Sequence, residues 1–305
     1  MNQQLEKAVN QLDQIILGKN QQIKLALVCL LAKGHLLIED LPGMGKTTLA
    51  HALAKVLGLD FQRIQFTSDL LPADIIGSAI YRRSDETFKF HQGPIFTQVI
   101  LADEVNRATP KSQSALLEAM EEYQVTSEGV SRKLPDPFFV IATQNPFHQI
   151  GTYPLPESQL DRFLIRISLG YPAQEVERLL LLGQETRSQI ENLEPLLDAK
   201  QLIDLQAQVN QVDTSDKLLD YLQLLVAATR NSTHWSHGLS PRGGLALLKA
   251  AKAWAFLDGR DFVVPEDVQA VWQPVAGHRL MSQKNSVSAQ VTPVDEILHD
   301  TAIPR

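Results

Sequence analysis

The sequence predicts an α/β fold in which helices cover both faces of a parallel β-sheet, followed by a smaller all-α domain. Between residues 35 and 167, short apolar runs typical of buried strands alternate with helical patterns. This alternation is expected where parallel strands are joined by crossover helices. After residue 172 the pattern is helical only. We therefore place a hinge near residues 169–172.

Three segments follow from these changes of pattern. We predict an α/β core over residues 1–170, an all-α lid over 171–283 and a polar tail over 284–305 that is loosely held. The core contains two short β-like stretches outside the main alternation. They are an insertion at about 78–93 and a hairpin at about 123–137, which ends in prolines.

Each element is predicted from its residue pattern. Residues 1–33 read as two amphipathic helices separated by a turn at 17–20. Apolar runs predict strands at 35–38, 61–66, 98–102, 138–142 and 164–167. Helical periodicity in the core predicts helices at 47–57 and 111–122. In the lid it predicts helices at 176–182, 202–209, 218–229, 244–257 and 265–275.

Composition excludes several classes of protein. The 305 residues are 44% hydrophobic and 21% charged, with a formal charge of -7 and a pI of about 5.6, so broad electrostatic binding to nucleic acid is not expected. No signal-peptide pattern or apolar run of about 20 residues is present, and we expect a cytoplasmic location without a membrane span. Cys29 lies in an apolar run and is expected to be buried.

The strongest local pattern is a glycine-rich turn between the first strand and the next helix. We predict that it binds nucleotide through Pro42, Gly43, Met44, Gly45, Lys46, Thr47 and Thr48. The two glycines let backbone N–H groups curl around phosphate oxygens, and the helix adds its positive N-terminal end. Lys46 would reach the β- and γ-phosphates, and the Thr47 hydroxyl would bind Mg²⁺. Asp40 stands where the motif opens with glycine and is not expected to bind phosphate, because like charges repel.

An acidic pair supplies the second part of the predicted site. Asp103 and Glu104 follow the apolar run 99–102, at the strand end where ligands bind in open α/β sheets. Asp103 is placed to hold Mg²⁺ through water, and Glu104 to act as general base on the attacking water. The glutamate favours an ATPase over a GTPase switch. Asn145, which follows the next strand, is predicted to orient that water.

With these motifs in this order, the sequence resembles MoxR-family AAA+ ATPases. The similarity extends from about residue 12 to 280 and rests on nine ordered blocks. They are residues 37–47, 63–77, 93–96, 102–108, 113–122, 142–146, 156–163, 239–243 and 259–268. Two positions depart from the family, which often has proline at Ser68 and threonine at Ile76. The resemblance implies an AAA+ core with a helical lid, and ATP and Mg²⁺ as cofactors.

The same resemblance implies further site residues. Arg242 matches the sensor-2 arginine, which reaches the γ-phosphate from the same subunit. Arg162 matches the arginine finger offered to a neighbouring subunit, with Arg166 and Arg107 as rival candidates. The adenine would contact the apolar stretch Ile16, Leu17 and Gly18.

For function, the resemblance implies a homo-oligomeric ring, usually a hexamer, with a chaperone-like role in remodelling or maturing protein complexes. The family commonly has a von Willebrand factor A domain partner. The sequence does not identify the client protein. The insertion and the hairpin correspond to loops that face the ring pore or a partner, where Tyr81, Phe88 and His91 either contact a client or simply pack. Two alternatives stay open: a nucleic-acid motor and a chelatase-like metal-insertion subunit.

Overall fold

A computed structural model describes residues 3–84, 86–146, 151–181, 190–232, 234–280 and 293–303 of the chain. The central element is a five-stranded parallel sheet in the order β2-β5-β8-β1-β9. The strands are β1 Leu36–Glu39, β2 Phe61–Gln65, β3 Gly77–Arg82, β4 Thr87–Gln92, β5 Val99–Asp103, β6 Gln124–Ser127, β7 Val130–Lys133, β8 Phe139–Gln144 and β9 Ile165–Ile167. The predicted α/β fold class is confirmed.

The predicted helices lie close to their predicted positions, and three further helices, at 72–76, 157–160 and 293–300, were not predicted. The helices are α1 Gln3–Ile15, α2 Asn20–Leu31, α3 Lys46–Val56, α4 Pro72–Ile76, α5 Pro110–Glu122, α6 Glu157–Leu160, α7 Gln174–Leu181, α8 Ala199–Asn210, α9 Asp216–Asn231, α10 Pro241–Leu257, α11 Pro265–Ala276 and α12 Pro293–Asp300. Within the described ranges, no helix is both long and apolar enough to span a bilayer.

The sheet separates two hydrophobic clusters. Side chains on the central strands alternate between them: Ile100 and Val140 face the cluster that contains α5, whereas Leu101 and Ile141 face the one that contains α1, α2 and α3. This alternation is the period-2 geometry of a strand that is buried on both faces. Both faces of the sheet are therefore covered, as the apolar runs predict.

The second helix differs from its prediction. The sequence pattern predicts an amphipathic α2, but residues 25–31 are all buried, as is Ile23. The lid helices α8 and α10 pack against α2, and α11 packs against β9. A helix covered on all sides needs no polar face. The lid therefore continues the hydrophobic cluster of the core, and the boundary at residue 171 divides the chain but not the packing.

The C-terminal tail is also corrected in part. Residues 284–292 lie outside the described residues, but α12 is a helix that packs against α9 and α11. Val294 is 5% exposed, and the indole Nε1–H of Trp272 donates to its carbonyl oxygen at 2.7 Å. Ile297 and Leu298 pack on the same cluster. Their spacing of three and four residues from Val294 is the signal that the polar composition of this segment hides.

The predicted insertion and hairpin both form antiparallel hairpins, β3–β4 and β6–β7. Phe88 is 73% and Tyr81 49% exposed, with their ring centroids 5.3 Å apart. The guanidinium of Arg132, on β7, lies 3.7 Å from the centre of the Phe90 ring on β4. The two hairpins thus contact each other through a cation–π pair.

One ion pair inside the lid gives a test of its stability. Asp267 is 1% exposed and accepts hydrogen bonds from Arg260 Nη1 at 2.5 Å, Arg260 Nη2 at 2.6 Å and Val264 N at 2.8 Å. Asp267→Ala leaves the guanidinium and a helix N-terminus without this partner. We expect the free energy of unfolding in urea to fall by about 3 kcal/mol. Glu266→Ala, which changes the exposed neighbouring carboxylate, is the control; an equal loss in both variants would contradict the assignment.

Candidate active site

The turn between β1 and α3 has the backbone that the glycine pattern predicts. Gly43 and Gly45 have φ values of +84° and +85°, in the left-handed region that favours glycine. No heavy atom lies within 4 Å of a Cβ built on either residue, so the space beside the turn is open. Gly45 immediately precedes the first residue of α3. The turn therefore offers backbone N–H groups and a helix N-terminus to a ligand.

Lys46 lies inside this turn. Its Nζ donates to the carbonyl oxygens of Asp40 at 2.7 Å and Leu41 at 3.1 Å. Burial lowers the pKa of Lys46 from its ordinary value, and the nearby carboxylates of Asp40, Asp103 and Glu104 act in the opposite direction. Because one ammonium group does not offset three carboxylates, this site is suited to an anionic ligand that brings the positive charge of Mg²⁺ with it.

Asp103 is held from two sides by residues that the sequence reasoning missed. The Thr143 hydroxyl donates to Asp103 Oδ1 at 2.6 Å, and Arg63 Nη2 donates to Oδ2 at 2.5 Å. Thr143 is on β8 and Arg63 on β2, the two strands that flank β5. Asp103 itself is only 7% exposed. The sheet order brings both residues to Asp103, and the sequence alone does not give that order.

Glu104 has a backbone that few residues adopt. Its φ is +57°, which is strained for a non-glycine residue. Its N–H donates to Thr143 Oγ1 at 2.8 Å. Its carboxylate accepts a hydrogen bond from Gln65 Nε2 at 3.2 Å and pairs with Arg107 Nε at 3.1 Å. The neighbouring groups therefore fix both the backbone and the carboxylate of this residue.

These residues surround one cavity of about 680 Å³. It is lined by Pro42, Gly43, Gly45, Lys46, Thr47, Thr48, Arg63, Gln65, Thr67, Asp103, Glu104 and Arg107. The structure thus brings the glycine turn, both acidic residues and Thr47 together. Arg107, one of the rival finger candidates, pairs with Glu104 of its own subunit and belongs to this cavity.

A second cavity of about 340 Å³ adjoins the first, since Gly43, Gly45 and Thr48 line both. It is lined by Ile16 and Leu17, which are predicted to contact the adenine, and by Met44 of the glycine turn. Gly18 does not line it; with φ of +70°, it shapes the turn between α1 and α2. Gly170, Pro172, Val176 and Leu179, from the hinge and α7, also line this cavity and were not predicted to do so.

Asn145 lies apart from the phosphate cavity. With Gln144, Asn106 and Arg166 it lines a separate cavity of about 290 Å³, and Asn106 Nδ2 donates to the Asn145 carbonyl at 3.4 Å. Arg166 Nη1 pairs with Glu39 Oε2 at 2.9 Å in the same subunit. The water-orienting role of Asn145 stays a prediction.

Arg162 and Arg242 lie together on the carboxylate of Glu121. Arg162 Nη2 is 3.1 Å from Glu121 Oε2, Arg162 Nη1 donates to the Leu117 carbonyl at 2.7 Å, and Arg242 Nη2 bonds to Glu121 Oε1. The bond from Arg242 lowers the pKa of Glu121 below its ordinary value, and the charge of Arg162 adds to this. The two predicted arginines therefore share one partner near the C-terminal end of α5.

In this structure Arg242 lies on Glu121 and does not line the phosphate cavity of its own subunit, where the resemblance places it. The carbonyl oxygen of Met120, the residue before Glu121, lies 3.0 Å from His35 Nε2, just before β1. The phosphate turn begins at Asp40, after β1. At about 3.3 Å per residue, His35 and Asp40 are roughly 16 Å apart along the strand. Glu121 follows Met120, so the Arg242 guanidinium bound to it lies towards the His35 end of β1 and away from the glycine turn.

The residues present fit Mg²⁺ bound together with a nucleotide. The hydroxyl of Thr47 and the carboxylate of Asp103 line the same cavity and are the oxygen ligands that Mg²⁺ prefers. In the part of the chain that the structure describes, no group of three or more His, Cys, Asp or Glu residues forms a metal cage. A magnesium ion that takes most of its ligands from phosphates and water needs no such cage.

The strand order, the glycine turn and the acidic end of β5 define the class of protein: an AAA+ ATPase core followed by a helical lid. Comparisons with known proteins agree. A sequence profile for the ATPase family associated with various cellular activities (AAA) matches residues 35–165, and one for the AAA lid domain matches residues 227–300.

Relatives identify the branch of that class. The chain is 40% identical over 313 residues to Chaperone MoxR1 of Mycobacterium tuberculosis, which covers 99% of this chain and 82% of that protein. It is 49% identical over 277 residues to the YeaC protein of Bacillus subtilis, over 91% of this chain and 87% of that protein. A solved structure from Cytophaga hutchinsonii superposes with a TM-score of 0.89 at 36% identity and covers 99% of this chain and 95% of that one. The chain belongs to the MoxR family of AAA+ ATPases.

Proposed function

We propose that the protein binds ATP with Mg²⁺ across the two adjoining cavities and hydrolyses it to ADP and phosphate. The observation that carries the proposal is the single cavity in which Lys46 and Thr47 face Asp103 and Glu104. The phosphates would lie along the glycine turn and the adenine between Ile16 and the hinge. The adenine and the phosphates would thus lie in two adjoining cavities that share Gly43, Gly45 and Thr48.

The chain's own residues then have defined tasks. Thr47 and Asp103 would hold Mg²⁺, which neutralises phosphate charge when it is bound. Lys46 binds the β- and γ-phosphate oxygens, and Glu104 takes a proton from the attacking water. Arg63 and Thr143 orient Asp103, while Gln65 and Arg107 hold the carboxylate of Glu104. Asn145 is retained as a residue that orients the water.

Arg162 and Arg242 act, in this proposal, on the site of a neighbouring subunit. Both guanidinium groups lie on Glu121, towards the His35 end of β1 and away from their own glycine turn. They therefore belong to one surface, which a head-to-tail contact would bring to the next subunit's phosphates. A repeated head-to-tail contact closes into a ring when its rotation permits. We propose a homo-oligomeric ring, with a hexamer as the expected size.

The expected work of the ring is the remodelling or maturation of client protein complexes in the cytoplasm. Its support is the similarity to a relative named as a chaperone. The exposed hairpin tip with Tyr81 and Phe88 offers an apolar contact for a client or for a von Willebrand factor A domain partner. The overall charge of -7 disfavours the alternative of a nucleic-acid motor. Marked stimulation of ATP hydrolysis by added DNA would favour that alternative instead.

Assembly tests the proposal. If a neighbour completes each site, the specific rate of phosphate release must rise steeply as protein concentration passes through the range in which rings form. Analytical ultracentrifugation gives that range and the ring size. A specific rate that is constant from monomer to oligomer would contradict the shared site, and no hydrolysis at any concentration would contradict the ATPase itself.

The role of Gln65 gives a further prediction. Gln65→Ala removes one hydrogen bond to the Glu104 carboxylate, so the general base is less well positioned. We expect the turnover number to fall about tenfold, the effect of one hydrogen bond to a charged group, with the affinity for ATP unchanged. Steady-state phosphate release checks this. Gln62→Ala, an exposed glutamine on the same strand, is the control, and equal rates in the two variants would contradict the role.

A further inference from the structure

Asp40 stands at the first position of the phosphate loop, where the motif ordinarily has glycine. Asp40 is 6% exposed and does not line the phosphate cavity. It accepts hydrogen bonds from Ser168 Oγ at 2.9 Å, from Gly170 N at 3.1 Å and from Leu169 N. All three donors belong to the segment that joins β9 to α7. The side chain of a phosphate-loop residue is thus bound to the hinge.

The main chain of Asp40 belongs to the phosphate loop. Its N–H donates to the Gln144 carbonyl at 3.2 Å, and its carbonyl accepts from Lys46 Nζ at 2.7 Å. Asp40 therefore connects two structures. Its backbone continues β1 into the glycine turn, and its side chain fixes the start of the lid.

The hinge that Asp40 holds forms one wall of the cavity of about 340 Å³ proposed for the adenine, called the base-side cavity below. Gly170, Pro172, Val176 and Leu179 line that cavity together with Ile16. Gly170 has a φ of +62°, so the turn that aims this wall depends on a left-handed backbone. The N–H of this residue is one of the three donors to Asp40. The position of the wall thus depends directly on the carboxylate.

Electrostatics argue against a role for this carboxylate in holding phosphate. A negative charge close to a polyphosphate lowers its affinity, and the hinge donors stabilise the carboxylate in place. A wall that is already formed before binding costs less free energy on association than one that must be ordered. The carboxylate therefore raises the affinity for the nucleoside part of a nucleotide and lowers the affinity for its phosphates.

We propose that Asp40 is a positioning residue that presets the base-side wall through the hinge and so raises the affinity for the nucleoside part of ATP, not for its phosphates. The inference rests on the proposed ATP site. It gives the departure from the glycine motif a purpose that phosphate binding does not supply.

The test compares ATP with inorganic tripolyphosphate, which lacks the nucleoside. Both displace a fluorescent ATP analogue from the wild type and from Asp40→Asn, a variant of equal size without the charge. We expect ATP affinity to fall at least about tenfold in Asp40→Asn, the equivalent of one charge-assisted hydrogen bond. Tripolyphosphate affinity should stay the same or rise. Asp204→Asn, an exposed aspartate on α8, is the control and should change neither.

Ser168→Ala provides a milder variant that removes one donor and leaves the carboxylate in the loop. It should lower the affinity for ATP by a smaller factor than Asp40→Asn does. Thermal unfolding without ligand shows that each variant is folded. An equal loss of affinity for ATP and tripolyphosphate, or no loss for ATP, would overturn the inference while leaving the ATPase proposal intact. A wild type that binds no ATP would overturn the proposed function, and this inference with it.

Discussion

Glu104→Gln is expected to lower the rate of ATP hydrolysis by at least roughly 10²-fold while ATP binding stays intact. The amide cannot take the proton from the attacking water, but it keeps the size of the side chain. The bonds that hold position 104 from the backbone, such as the one from its N–H to Thr143, are unaffected. Phosphate release at saturating ATP measures the first effect, and titration with a fluorescent ATP analogue measures the second.

The matched control is Glu118→Gln, which removes the same charge from an exposed position on α5. It should turn over ATP as the wild type does. A Glu104→Gln protein with wild-type turnover would remove this residue from its role as general base. A variant that loses ATP binding as well would show that Glu104 acts on the ligand rather than on the water.

Arg162→Ala is expected to lower hydrolysis by about 10³-fold, again without loss of ATP binding, because the guanidinium stabilises charge on the phosphate only in the transition state. The arginine lies on Glu121 and on the Leu117 carbonyl, away from its own glycine turn. The loss therefore has to arise at the site of the neighbouring subunit. Ultracentrifugation of the variant confirms that rings still form.

Mixing two inactive variants separates action within a subunit from action between subunits. In a mixed ring of Glu104→Gln and Arg162→Ala subunits, some interfaces pair an intact Glu104 with an intact Arg162 from the neighbour. We expect phosphate release to reappear on mixing. If the arginine acted within its own subunit, every site would still lack one group and no activity would return. The same mixing with Arg242→Ala tests whether the second arginine acts between subunits too.

Much of the site was predictable because its chemistry is local in sequence. The glycine turn follows directly from residues 42–48, and the acidic pair follows directly from a buried strand. Parallel strands place their carboxyl ends at one edge, so the motifs meet once the sheet forms. The fold class was predictable for the same reason, since apolar runs and helical patterns report which faces are buried.

What the sequence did not reveal depends on contacts between distant segments. Arg63 and Gln65 are exposed residues of an edge strand, and only the sheet order, which places β2 beside β5, brings them to Asp103 and Glu104. The position of Arg242 depends on how the lid packs on α2 and β9, which no local pattern states. The buried face of α2 and the packing of α12 likewise require the lid as a partner.

The central claim is that ATP and Mg²⁺ are held between the glycine turn and the carboxyl end of β5. The most direct test is equilibrium binding of ATP to purified wild type and Lys46→Ala, each with and without Mg²⁺, over protein concentrations that span ring assembly. The account predicts binding by the wild type that Mg²⁺ strengthens and that Lys46→Ala largely abolishes. A wild type that binds no ATP under any of these conditions, or a Lys46→Ala protein that binds it equally well, would contradict the account.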